Sequence, residues 1–182
     1  MTPTLQHAGI QIRPLNGNDR ESLYTAVCES AAVLSPWMPW CRNTYTVADA
    51  EAWIALCQTD WQSGTDREFG IIDLASGEVL GCVGINQIDR ANRFGNLGYW
   101  VRAGCTGQGV ATLAARLAAQ FAFREQELAR LEIVAITTNL ASRRVAEKLG
   151  CHFEGIARKR LFDFGRPYDA AVYSLLPDEI AD

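Results

Sequence analysis

Between Trp100 and Thr112 the chain reads Trp-Val-Arg-Ala-Gly-Cys-Thr-Gly-Gln-Gly-Val-Ala-Thr. Glycines at Gly104, Gly107 and Gly109 can take positive φ and let a ligand approach the main chain closely. Val110, Leu113, Ala114, Leu117, Ala118 and Phe121 then recur at helical spacing, so the loop opens onto an amphipathic helix. The first N–H groups of a helix lack partners and its dipole is positive there, which makes a seat for a pyrophosphate. A nucleotide-hydrolase loop would need Gly-Lys followed by Ser or Thr, and Gln108-Gly109-Val110 does not supply it. A dinucleotide fingerprint would need Gly or Ala where Thr112 stands and an acid near Thr137 and Thr138. A glycine-rich structural turn before an ordinary core helix remains open on this stretch alone.

Trp37-Met38-Pro39-Trp40 offers a second kind of chemistry. Indoles held between prolines either plug the edge of a core or wall a substrate pocket, since each supplies a large rigid area with one polar edge. The six cysteines are scattered singly, with only His7 and His152 to accompany them, so no metal site is expected and the thiols read as reduced core residues. Cys105 lies in the glycine loop without a neighbouring histidine, which argues against a nucleophile.

The elements that must position these residues follow from periodicity. Ile10 and Ile12 form a first strand, and Asn18 with Glu21 reads as a reciprocal cap opening a helix through Leu23, Ala26, Val27, Ser30 and Ala31. Thr46 with Asp49 starts a second helix with a face of Ala50, Trp53, Ile54, Cys57 and Trp61, closed by Gly64. Strands at Phe69 to Leu74, Val79 to Ile88 and Phe94 to Val101 form a meander. The strand at Leu131 to Thr137 follows the glycine-loop helix as a parallel crossover. A short helix from Asn139 to Leu149 and a hairpin of Phe153 to Leu161 with Tyr168 to Leu176 complete one α/β domain over residues 1–182.

With 48% hydrophobic and 21% charged residues and a net charge of -4, composition is that of an ordinary globular chain with no electrostatic footprint for nucleic acid. No bilayer-spanning run or secretory signal is seen, and a cytoplasmic protein is expected.

The order of elements, the loop Thr106-Gly107-Gln108-Gly109-Val110-Ala111 and the segment Asn139-Leu-Ala-Ser142-Arg-Arg-Val-Ala-Glu-Lys148-Leu-Gly150 resemble the GNAT superfamily of acyl-CoA-dependent N-acetyltransferases. Within it, Trp37 to Trp40, Gly98-Tyr99-Trp100, the Asn139-x-x-Ser142 spacing and the tail Gly165 to Asp169 with Tyr173-Ser174-Leu175 look like the RimJ/RimL branch, whose named members acetylate N-termini of ribosomal proteins. The resemblance implies a mixed, mostly antiparallel splayed sheet of about seven strands with about four helices. It implies acetyl-CoA as co-substrate and no metal. The cofactor would lie on Trp100, Val101, Gly107, Gln108, Gly109, Val110, Ala111 and Thr112, with Asn139 near the pantetheine arm and Ser142 returning a proton to the leaving thiolate. Trp37, Trp40 and Asn96 would form the substrate pocket, and the resemblance allows a homodimer.

Three positions depart from the family pattern. Thr106 replaces a longer Arg or Gln, Asn96 stands where many relatives carry a Glu base, and Ala146 stands where other branches carry a tyrosine. Deprotonation would then fall to water, to a carboxylate such as Glu68 or Asp89, or to solvent. An α-amine titrates near 8 and a lysine ε-amine near 10.4, so the missing Glu favours an α-amine attacking the thioester directly. A protein N-terminus, a small-molecule amine, and a non-catalytic acyl-CoA-binding module are the three readings open. Arg143, Arg144 and Lys148, with Arg158, Lys159 and Arg160, are basic clusters either solvated or set against CoA phosphates. His152 is expected to pack on the sheet.

Overall fold

The computed structural model describes residues 3–180. Its sheet runs in the order β1-β2-β3-β4-β5-β6-β8-β7. The strands are β1 (Leu5–His7), β2 (Ile10–Arg13), β3 (Arg67–Asp73), β4 (Val79–Asp89), β5 (Phe94–Val101), β6 (Arg130–Ile136), β7 (His152–Asp163) and β8 (Arg166–Leu175). Four α-helices accompany them: α1 (Arg20–Leu34), α2 (Val47–Ser63), α3 (Val110–Arg124) and α4 (Leu140–Leu149). All strand pairs are antiparallel except β5 with β6.

The strand beyond the expected seven is β1, which pairs with β2 through a turn at Ala8 and Gly9, both at positive φ. Leu5-Gln6-His7 is too short to show a period, and with alanine in the left-handed region at position 8 only Gly9 marks the turn. The start of α1 also differs from expectation. The reciprocal cap joins Asn16 and Asp19, with the Asp19 carboxylate accepting from the Asn16 amide at 2.8 Å. Arg13 holds the same buried carboxylate at 2.7 Å through two nitrogens, so Asp19 turns inward, a 3-10 turn forms at Gly17–Asp19, and α1 begins only at Arg20.

One face of the sheet packs on α3. Phe69, Ile71, Val83, Ile85 and Leu97 meet Ala114, Ala115, Ala118, Ala119 and Phe121, and the fully buried alanines let helix and sheet approach closely. The other face packs on α1 and α2, where Leu23, Val27 and Ile54 meet Ile72, Val79 and Cys82. Ala50, Ile54 and Cys57 of α2 are buried as the spacing predicts, but Trp53 is 37% exposed. It stands at the edge of the apolar stripe, where the helix faces a cavity rather than the sheet. His152 likewise departs from expectation: it opens the edge strand β7 and is exposed.

The sheet is split. β5 registers with β6 over Phe94, Gly95 and Asn96 against Arg130, Leu131 and Glu132. β5 then runs on to Val101 paired only with β4, while β6 runs on to Ile136 paired with β8. A fork therefore opens between residues 97–101 and 133–136, leaving main-chain groups on its margins outside the ladder.

Candidate functional site

The glycine loop is pinned at its start. The Arg102 amide donates to Leu80 O at 2.7 Å, and its guanidinium reaches Glu29 at 2.6 Å and Glu78 at 3.1 Å. The Ala103 amide donates at 2.9 Å to the hydroxyl of the fully buried Ser30, which itself donates to Ala26 O at 2.6 Å. Gly107 and Gly109 then take φ of 75° and 86° and swing the chain into α3. The Leu113 amide bonds back to Gly109 O at 2.9 Å, so Val110, Ala111 and Thr112 form the first turn, whose amides have no intrahelical acceptor. Gly109 supplies no side-chain cap. The hydroxyl of Thr106 donates to Ala103 O at 2.8 Å and the amide of Gln108 to Gly104 O at 2.7 Å, so both side chains are spent inside the loop. The donors are those an anionic pyrophosphate requires.

This turn forms one end of a cleft of about 320 Å³ that follows the fork. Trp100, Val101, Gly107, Gly109, Val110, Ala111, Thr112, Asn139 and Ser142 all line it, and Gln108 does not. Trp37, expected from the sequence in the substrate pocket with Trp40, lines this cleft, because its amide bonds Leu34 O at 2.9 Å and keeps it against the end of α1. Asn139 caps α4, accepting from the Ser142 amide at 3.1 Å. The Tyr99 hydroxyl crosses the fork and donates to Ser142 O at 2.9 Å, with Ser142 Oγ 3.3 Å away. Burial pushes the Tyr99 phenol well above its ordinary range, so it stays neutral and its oxygen can accept the Ser142 proton.

Among the basic residues, Arg143 is engaged by the Tyr173 hydroxyl and Thr137 O, both at 3.1 Å, whereas Arg144 and Lys148 line the cleft. Arg158, Lys159 and Arg160 lie exposed on β7, away from it. Ala146 is fully buried and serves packing.

A second cavity, of about 480 Å³, lies on the α1 and α2 side and shares Met38, Tyr99 and Trp100 with the cleft. Glu68 and Gly98 line it and belong to one cross-strand row: Glu68 of β3 registers with Gly84 of β4, and Gly84 with Gly98 of β5. With no side chain on either glycine, the Glu68 carboxyl lies flat over Gly84, and Gly98, beside the Asn86 amide, opens to the cavity. A Cβ on residue 84 would collide with that carboxyl. Desolvation pushes the Glu68 carboxyl up to about 7, against the opposing effect of a hydrogen bond from Asn86. Asn86 is held in turn, its Oδ1 accepting from Asn96 Nδ2 at 2.9 Å. Asn96 thus stands one residue behind the cavity wall, which it reaches through Asn86. Trp40, Tyr45 and Trp53 also line the cavity. Asp89, the other carboxylate considered from sequence, is bound by the Asn92 amide at 2.9 Å and side chain at 2.8 Å, and those bonds hold it below the usual carboxylate range.

Sequence reading named Glu68 only among alternatives and missed Gly84, Asn86, Tyr45 and Trp53 as site residues. Glycine inside a strand, a mark of close approach, was the one available signal. Among the described residues, no three His, Cys, Asp or Glu side chains gather as a metal-binding group, and no helix is long and apolar enough to cross a membrane.

Residues 10–152 match the family model for the acetyltransferase (GNAT) domain. A probable N-acetyltransferase, YjcK, of Bacillus subtilis is 33% identical over 93% of this chain and 96% of its own. The ribosomal-protein-serine acetyltransferase of Escherichia coli is 23% identical over 98% and 99%. The solved structure of RimL, a ribosomal L7/L12 alpha-N-protein acetyltransferase in complex with coenzyme A, superposes with a TM-score of 0.87 at 19% identity, covering 97% of this chain and 99% of that one.

Proposed function

The chain belongs to the GNAT acetyltransferase family and is an acetyl-CoA-dependent N-acetyltransferase, and on that footing we propose that its acceptor is a primary α-amine, foremost the N-terminus of a protein. The reading is carried by Glu68, a carboxyl poised near neutral pH that lies over Gly84 and faces a cavity also lined by Gly98 of β5, the strand that borders the fork.

The amides of Val110, Ala111 and Thr112, with Arg144 and Lys148 nearby, hold the pyrophosphate end of acetyl-CoA, and the open margin of β5 at Trp100 and Val101 holds its pantetheine arm. Acetyl-CoA supplies the activated acyl group as a thioester. Glu68, ionised, takes the proton that an α-ammonium must lose before its nitrogen can attack. An acceptor of pKa near 8 and a base near 7 are close enough for that transfer at neutral pH. Asn86, oriented by Asn96, donates to Glu68 and fixes where the carboxylate points. After the neutral amine attacks the thioester carbon, the adduct nitrogen sheds its second proton as the C–S bond breaks; Ser142 Oγ relays it, giving its own proton to the departing sulfur and taking the nitrogen's in return, and Tyr99 and Asn139 set its position. The base missing at Asn96 is thus supplied two strands away, which removes the motive for a non-catalytic module.

Thiol release from acetyl-CoA, measured with short peptides, free amino acids and polyamines, tests this reading. Turnover on peptide N-termini is expected, falling by about 10²–10⁴-fold in Glu68→Gln. Turnover confined to lysine ε-amines or polyamines would overturn it.

A further inference from the structure

The acceptor cavity is larger and more aromatic than deprotonation of an amine requires. Glu68 and the side-chain-free Gly98 already provide a base and an approach. Above them the cavity places Trp40, Tyr45, Trp53 and Trp100 around one space of about 480 Å³. The Trp40 ring stands 6.2 Å from Tyr45 at 55° and 5.9 Å from Trp100 at 59°, both within the range of tilted aromatic packing. Trp40 and Trp53 line this cavity and keep 40% and 37% of their surface exposed.

We propose that the acceptor amine is carried beside a planar aromatic ring, as in an N-terminal Phe, Tyr or Trp residue or a free aromatic amine of the same chemistry. The ring packs among Trp40, Tyr45 and Trp53 while the amine passes over Gly98 to the Glu68 carboxyl. This narrows the acceptor of the acetyl-transfer reading above and rests on it. Size supports the choice: a serine residue would leave most of the cavity to water, whereas an aromatic side chain buries roughly 150–250 Å². Charge supports it as well. Besides Glu68 the cavity is lined by Arg42 and Asp49, both exposed and of opposite sign, so a polycation gains little beyond the single amine.

Two measurements test it together. Acetyl-CoA turnover is followed on peptides identical except for Ser, Ala, Leu, Phe or Trp at the first position, with free phenylalanine amide and serine amide as small counterparts. Binding of the same two amides to the CoA-loaded protein is measured by calorimetry, a readout that needs no turnover. Aromatic first residues should exceed serine by about ten-fold or more in kcat/KM, phenylalanine amide should bind more tightly than serine amide, and Trp53→Ala should cut the aromatic-to-serine ratio by a similar factor. Peptides turning over while the free amides do not would place the aromatic group at a protein terminus; the reverse would place it on a small molecule. Aromatic binding without turnover on any amine would overturn the acetyl-transfer reading at this site and leave the aromatic subsite standing. Equal or better use of serine, or equal or absent binding of both amides, would overturn the proposal.

Discussion

The carboxyl of Glu68 lies over Gly84, its register partner across β3 and β4, in the space that a Cβ on residue 84 would occupy. The glycine is therefore part of the arrangement that aims the carboxylate, although it carries no reactive atom. Gly84→Ala is expected to displace Glu68 by about the width of a methyl group and to lower kcat/KM by roughly 10²-fold, the usual cost of a misplaced catalytic group. CoA affinity, set on the far side of the fork, should be unchanged. Steady-state kinetics with parallel calorimetry would check both, and a loss of CoA binding would count against a local effect.

Glu68 also predicts a pH dependence. A base must be ionised to act, so kcat/KM should rise with pH through an inflection near 7. Glu68→Gln should remove that inflection and leave only the rise due to the acceptor amine itself. The same group should cost stability. Its folded pKa lies above the ordinary 4.5, so folding favours the protonated form, and that contribution is present below about 4.5 and lost as pH climbs through 7. Glu68→Gln should therefore melt several degrees above wild type at pH 8 and close to it at pH 4. Thermal melts across that range provide the check.

Ser142 and Tyr99 tie the two sides of the fork together at 2.9 Å and 3.3 Å. Ser142→Ala should lower kcat by about ten-fold or more while CoA still binds, because the amide contacts of the α3 turn are untouched. Tyr99→Phe should lower kcat less, since the Ser142 hydroxyl remains but loses its partner. Equal kcat in wild type and Ser142→Ala would exclude Ser142 as the proton source.

Ser30 lines neither cavity, yet it holds the start of the glycine loop through the Ala103 amide at 2.9 Å. Ser30→Ala leaves that amide without its acceptor at a site largely closed to water, which should cost about 1–3 kcal/mol of stability. CoA affinity should fall with it as the loop loosens. Urea unfolding gives the first quantity and calorimetry the second.

The order of elements was legible because each long element declares its own period: α3 through its alanine-rich stripe, β4 through an apolar run bounded by turn residues. The glycine loop was legible for the same reason, since its geometry is local. Glu68 was not. Nothing in Arg67-Glu68-Phe69 separates it from an ordinary strand-edge charge; its desolvation arises only when α2, Gly84 and Asn86 close around it, from positions up to tens of residues away. Trp37 and Trp40 were read as one wall because they are three residues apart, but the chain turns between them and sends them to different cavities. Asp19 shows the same limit at short range. Its pairing with Arg13 outcompeted the cap that the local spacing of Asn18 and Glu21 suggested.

The fork has a mechanical consequence. With three register pairs joining β5 to β6, the sheet amounts to two stiff plates sharing a short seam, one made of β1 to β5 and the other of β6, β8 and β7. A long, narrow guest that bonds both open margins becomes a brace between the plates. Opening motions at residues 97–101 and 133–136 would be damped most strongly when that brace is in place, so the lifetime of the amide protons along the two margins becomes a gauge of occupancy.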